Sequence, residues 1–178
     1  MGFIERVIRF NSTEERTEYI RTLLGGKDVV YLSHDGTVYY AVVANGMENK
    51  AYVVQTYQRI NRHLPFDYAF GYKIECEDVG PHHWNAPRTV LHLLTPTKNE
   101  YALQWRAKCE RTLRNRVRLQ AVPPGTRVRI KDSAVDDFFC IKKRNGRMWI
   151  NERRTLTIPF ARLILHDVEV LGVDARFA

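Results

Sequence analysis

The chain has 178 residues, with 28 Lys plus Arg against 20 Asp plus Glu, a formal net charge of +8 and a sequence pI near 9.6. With 44% hydrophobic and 11% aromatic residues and a mean hydropathy of −0.39, it can fill the core of one domain or two small ones, which excludes a disordered or membrane-embedded chain. No apolar run reaches the ~18 residues of a membrane span, and Met1 to Arg6 carries no secretory apolar core, so a cytoplasmic protein with no membrane partner is expected.

Phe3 to Phe10 reads as an edge strand or a loose arm. Asn11-Ser12-Thr13 then supplies an N-cap, Ser12 and Glu15 have capping-box spacing, and Tyr19, Ile20, Leu23 and Leu24 form an apolar stripe ending at Gly25-Gly26, which predicts a short amphipathic helix. From Asp28 the rhythm turns to β. Asp28–Ser33, Thr37–Ala44 and Ala51–Tyr57 are β-rich runs separated by Asp35-Gly36 and Asn45-Gly46, dipeptides that supply the positive φ of tight hairpins. Asp67–Ile74 reads as a fourth strand, with Gly71 permitting a bulge or a close approach. The stretch from Glu75 to Pro87 is a loop by its Gly and Pro content, and Val90–Leu94 is a short helix broken at Thr95-Pro96. Thr97 and Glu100 make a second capping-box spacing, opening a helix whose apolar positions are Tyr101 or Ala102, Trp105, Cys109, Leu113 and Val117.

Val122-Pro123-Pro124-Gly125 marks a boundary. Five short strands follow, Thr126–Ile130, Phe138–Lys142, Arg147–Ile150, Thr155–Pro159 and Val168–Leu171, with Asn145-Gly146 at one hairpin turn. The expected fold class is α+β: residues 1–121 form an antiparallel sheet, a β-meander, with packing helices, and residues 122–178 form a small SH3-like β-barrel lobe packed on it.

Charge is unevenly spread. From Arg106 to Arg154 there are 15 Lys plus Arg and 5 Asp plus Glu, a net of +10, so the remainder nets −2. A basic face of this kind attracts phosphates by counterion release, and Phe139 or Trp149 on a barrel surface can add base stacking. The expected binding residues are Arg111, Arg114, Arg116 and Arg118 on the helix with Lys142, Lys143, Arg144 and Arg147 on the hairpin. Their partner is nucleic acid or an acidic protein; the plainer alternative is a solvated basic helix and hairpin.

The stretch from Cys76 to His92 concentrates metal-ligand types, namely Cys76, Glu77, Asp78, His82, His83 and His92, in a spacing that fits no finger or metallohydrolase pattern. Cys76 with His82 or His83 is the one local thiol–imidazole pairing, and Glu75, Glu77 and Asp78 with Lys73 are the one nuclease-like group. P-loop, dinucleotide, nucleophile-elbow and zinc-protease motifs are missing from the sequence. Cys76, Cys109 and Cys140 are odd in number and far apart, as reduced core thiols are. No cofactor is expected, and the enzyme reading, a metal-dependent or cysteine-based hydrolase, stands second to binding.

Phe70-Gly71-Tyr72-Lys73, Asp78-x-Gly80-Pro81, Leu93-Leu94-Thr95-Pro96-Thr97 and Glu100 through Cys109, with Trp105-Arg106 at their centre, resemble a family of uncharacterised accessory proteins from plasmids, phages and integrative elements. A Pro-Gly like Pro124-Gly125 opens a β-rich tail in that family. Its members often carry cysteines in the Gly-Pro loop, where this chain has His82, His83 and Trp84. The resemblance implies a genetic setting rather than a chemistry. Physically, Gly80-Pro81 fixes a turn, Trp105 packs the helix on the sheet, and Arg106 pairs with Glu77 or Asp78. Together with the charge, the resemblance leads to an accessory binding protein of host takeover or anti-defence in a bacterial cytoplasm, whose partner is a host protein or nucleic acid; oligomeric state is left open. A third reading uses the Tyr-rich sheet face, Tyr31, Tyr39, Tyr40, Tyr52 and Tyr57, as an exposed protein-binding patch.

Overall fold

A computed structural model describes residues 2–60, 68–131, 138–143, 145–151 and 155–173. The class is mixed α+β, with two five-stranded antiparallel sheets. The chain divides into two compact units, Met1–Arg106 and Ala107–Ala178.

In the first unit, β1 (Ile4–Val7), α1 (Thr13–Leu23), β2 (Val29–Asp35), β3 (Val38–Asn45), β4 (Glu48–Ile60) and β5 (Tyr68–Cys76) build a sheet of order β1-β5-β4-β3-β2. The predicted meander is therefore present, and the residues near Phe3 are an edge strand. Gly36 and Gly46 take φ of +61° and +63° at the two hairpin turns, the left-handed region that these tight connections need. Ser12 caps α1, its hydroxyl accepting the Glu15 N–H at 3.1 Å, while the Glu15 carboxylate reaches back to the Asn11 N–H at 2.7 Å.

Alternation sends Tyr39, Ala41, Val54, Phe70 and Tyr72 to one face, where they pack with Ile20 and Leu24 of α1. Each large apolar side chain fully buried in this way contributes ~1.5–3 kcal/mol. Tyr40, Val42 and Val53 point to the other face and are buried as well; there the Tyr40 hydroxyl accepts the Asn85 N–H at 3.2 Å. Both faces of the sheet thus carry buried side chains, and the five tyrosines of the proposed patch differ in exposure. Tyr39 and Tyr40 are buried, and Tyr31, Tyr52 and Tyr57 are half-buried.

Gly71 of β5 sits directly opposite Tyr57 of β4. A Cβ there would lie 2.1 Å from the Tyr57 ring, so the ring lies against the Gly71 backbone. Phe3 stacks edge-on against the same ring at 5.1 Å, and the Tyr57 hydroxyl donates to Glu5. The glycine makes room for an aromatic latch that ties β1 to β4.

After α2 (Arg88–Leu93) comes α3 (Glu100–Ala121). Asn99, not Thr97, accepts the first-turn N–H of Ala102, at 3.0 Å, and Thr97 instead accepts the Asn99 N–H. Asn is the stronger N-cap, and Thr97, two residues earlier, serves a local turn. The buried positions of α3 are Ala102, Trp105, Cys109, Thr112, Asn115 and Leu119, whereas Tyr101 and Val117 are exposed. The stripe therefore rotates away from the apolar count and takes in two polar residues.

The second unit holds β6 (Thr126–Ile130), β7 (Phe138–Lys142), β8 (Met148–Asn151), β9 (Thr157–Pro159), a helical turn α4 (Phe160–Leu163) and β10 (Val168–Val173). The order is β10-β6-β7-β8-β9, so the last strand returns to pair with the first. Among the described residues β9 and β10 are the two edges and no closed barrel forms. Leu119 of α3 joins Val128, Ile130, Cys140, Trp149, Leu163, Ile164 and Val168 in its core.

Candidate nucleic-acid interface

The net charge of the chain resides in one unit. Residues 107–178 carry 16 Lys plus Arg against 8 Asp plus Glu, and residues 1–106 carry 12 of each. Several of the cations in the second unit are engaged by its own backbone. Arg111, Asn115 and Arg118 share a face of α3 by their i, i+4, i+7 spacing. Arg111 donates to the Leu165 carbonyl at 3.4 Å, Asn115 to those of Ile164 and His166 at 3.1 and 2.7 Å, and Arg118 to that of Val168 and to Asn115 Oδ1. These side chains satisfy carbonyls of the turn between α4 and β10.

Lys142, expected on the exposed basic face, is turned inward. It is 7% exposed, and its ammonium donates to the carbonyls of Leu119 at 3.2 Å, Gln120 at 3.0 Å and Val122. These lie at or just beyond the C-terminal end of α3, where helical carbonyls lack intrahelical partners. The cause is strand alternation: Cys140 and Lys142 occupy the core-facing side of β7. Desolvation pushes the ammonium below the usual lysine range. Lys142 thereby joins the turn end of the β7–β8 hairpin to the end of α3.

Of the expected binding residues, Arg114, whose side chain is 70% exposed with Glu110 at 3.6 Å, and Lys143 and Arg147 at the hairpin turn are exposed, as is Arg118 despite its hydrogen bonds. Asn145 shapes that turn by accepting the N–H groups of Arg147 and Met148, each at 3.2 Å. Arg116 is half-buried. Arg144 lies outside the described residues.

Of the two aromatic candidates, Trp149 is in the core. Phe139 is on the opposite, outer side of the sheet and partly exposed. The Arg127 guanidinium lies 4.4 Å from its ring centroid. Arg129, directly across from Phe139, donates from Nε to Glu169 at 2.9 Å, and the Lys131 ammonium stands 3.5 Å from the same carboxylate. The Arg129 hydrogen bond holds the Glu169 carboxyl below its usual range. Alternation in Thr126-Arg127-Val128-Arg129-Ile130 was the available signal for this outward pair.

In the stretch around Cys76–His92 the carboxylates are already engaged by cations. Glu77, 1% exposed, receives Arg106 Nε at 2.7 Å and Nη2 at 2.8 Å, plus the Ala51 N–H at 3.2 Å. Of the two expected partners of Arg106, Glu77 and Asp78, it is Glu77 that Arg106 meets, in a two-pronged buried bridge, with Arg106 Nη1 donating to the Thr95 carbonyl at 2.8 Å. Asp78 binds Lys50 at 2.7 Å and Glu75 binds Lys73 at 2.7 Å. Cys76 and Glu75 are neighbours on β5 and point to opposite faces. Burial pushes the Cys76 thiol up and the His83 imidazole down, and His82 is exposed. Among the described residues no three His, Cys, Asp or Glu stand together as a metal site. Each of the three carboxylates Glu75, Glu77 and Asp78 is thus held in an ion pair, the Cys76 thiol lies by Asp78 and Tyr52, and the His83 imidazole lies nearer Glu75 and Lys73. Gly80 does turn the chain, at φ +67°, and Trp105 is buried with its indole N–H on the His83 carbonyl at 3.0 Å.

A polar cleft of about 230 Å³ beside the bridge is lined by residues that include Lys50, Thr95, Thr97 and Lys98. Cys109 is buried and burial raises the Cys140 thiol to about 12. No helix among the described residues is long and apolar enough to cross a membrane. Compared with protein-family models, curated proteins and solved structures, the chain has no match.

Proposed function

We propose that this chain is an accessory binding protein of a phage or other mobile element, active in host takeover or anti-defence in a bacterial cytoplasm, and that residues 107–178 bind nucleic acid. The observation that carries the reading is the concentration of the whole net charge in that unit. Arg114, Lys143 and Arg147 present their charge to solvent, and cations in such a field attract phosphate and release its counterions. The mobile-element setting rests on the sequence resemblance alone. The second unit is further read as a half-open SH3-like barrel, because its last strand pairs with its first after a helical turn.

The test is binding to DNA and RNA across a salt series, with nuclease-treated protein. Affinity is expected to fall steeply with salt, each phosphate contact contributing ~0.9 to the log–log slope on duplex and ~0.7 on single strands. Arg114→Glu, Lys143→Glu and Arg147→Glu together are expected to weaken binding by more than about tenfold without unfolding the protein. Wild-type protein that binds no nucleic acid even at low salt overturns the proposal and redirects the basic surface to an acidic host protein.

A further inference from the structure

We propose that the outer face of the second sheet is a single-strand platform, on which a nucleobase stacks against the Arg127–Phe139 pair while Arg129 and Lys131 meet the flanking phosphates. This deepens the nucleic-acid reading and rests on it. The argument begins with strand register. Val128 and Ile130 point into the core, so Arg127 and Arg129 must leave on the other side of β6. Phe139 leaves on that same side of β7, next to Cys140, which is buried in the core. Arg127 stands opposite Ile141 and reaches diagonally to Phe139, at 4.4 Å from the ring centroid. The guanidinium of Arg127 is thereby set over the ring of Phe139 on one side of the sheet.

Phe139 is partly exposed on this side of β7, while Ile141 beside it is buried at 3%, so the ring offers an apolar edge beside a guanidinium. A base can extend such a stack on either the ring or the guanidinium plane, and stacking accepts every base because each has a π face. A duplex hides its bases and can offer this surface only phosphates, so the pair selects for unpaired nucleotides. Glu169 adds a built-in restraint. Its carboxylate holds Arg129 and Lys131, whose side chains are 34% and 47% exposed, so an incoming phosphate competes with Glu169 for cations already on the surface.

The experiment uses the full chain and fluorescent oligo(dT), oligo(dA) and a duplex of equal length, read by anisotropy at fixed salt. Wild type is expected to bind both single strands more tightly than the duplex. Phe139→Leu keeps the apolar bulk and removes the π face; it is expected to weaken single strands about tenfold and leave the duplex unchanged. Arg127→Lys keeps the charge, removes the planar stack, and is expected to act in the same direction. Glu169→Gln, which replaces no core residue, is expected to tighten single strands several-fold, and it keeps the proposal testable if Phe139→Leu lowers the unfolding temperature. Nucleic-acid binding with a duplex preference, single-strand affinity unmoved by Phe139→Leu, or no tightening from Glu169→Gln overturns the platform and leaves the basic-surface reading standing. Absence of all binding overturns both.

Discussion

The two units solve the problem of interior charge in different ways. In residues 1–106 three inward or half-inward cations meet opposite charges, Arg106 with Glu77, Lys73 with Glu75 and Lys50 with Asp78, while Arg16 and Arg21 also donate to the Tyr39 hydroxyl and the Val29 carbonyl. In residues 107–178 several cations are met by backbone carbonyls instead, as with Lys142 at the end of α3 and Arg111 and Arg118 beside the α4–β10 turn. A carboxylate cancels the charge of its partner, whereas a carbonyl satisfies the hydrogen bonds and leaves the charge in place. By residue count the first unit is neutral in sum, and the second keeps a net positive charge that its carbonyl-bound cations do not lose. Charge pairs among the described residues of the second unit include Glu110 with Arg114 and Glu169 with Arg129 and Lys131, and the latter falls where the platform is proposed.

The contrast is sharpest in the cost of deleting one cation. Arg106→Met leaves the Glu77 carboxylate buried without its counter-charge and is expected to destabilise by about 3–5 kcal/mol in denaturant unfolding. Arg106→Lys restores charge but not the fork and recovers only part, while adding Glu77→Leu to Arg106→Met removes the stranded charge and recovers more. In the second unit, Lys142→Met strands neutral carbonyls, so a smaller loss of ~1–3 kcal/mol is expected. If calorimetry found Lys142→Met as costly as Arg106→Met, the distinction between charge partners and carbonyl partners would fail.

A smaller effect probes what holds the first sheet apart from its charges. Gly71→Ala pushes a methyl into the Tyr57 ring and is expected to cost about 1 kcal/mol, at the low end of overpacking because the ring can swing toward solvent. In a double-mutant cycle with Tyr57→Leu most of that cost should vanish. A Gly71→Ala cost that is independent of Tyr57 would show that the backbone, rather than the aromatic latch, requires glycine.

Local chemistry carried much of the architecture into the sequence. Ser12 with Glu15, Asp35-Gly36, Asn45-Gly46 and the β-branched and aromatic runs act over a few residues, so α1, β2 to β5 and the hairpins were readable, and β6 and β7 fall where their patterns place them. Even one long-range contact was legible to within two neighbouring carboxylates: charge and a turn pointed Arg106 at Glu77 or Asp78, and the fold chose Glu77. The candidate site was legible only as a basic segment. Which of its residues face outward depends on the phase of a two-residue or 3.6-residue period, and phase is set by what each element packs against.

The same reason accounts for the rotation of the α3 stripe. Thr112 and Asn115 are hidden because Thr112 hydrogen-bonds back to Lys108 and Asn115 meets the carbonyls ahead of β10, partners that a hydrophobicity pattern does not contain. Composition and local pattern by themselves determined the α+β class, the order of most elements and the basic character of the second half. Tertiary structure alone decided that Lys142 is a helix cap, that Arg111 and Arg118 hold a turn, and that Phe139 faces out while Trp149 faces in. Those outcomes depend on long-range hydrogen bonds and on which side of a strand meets the core.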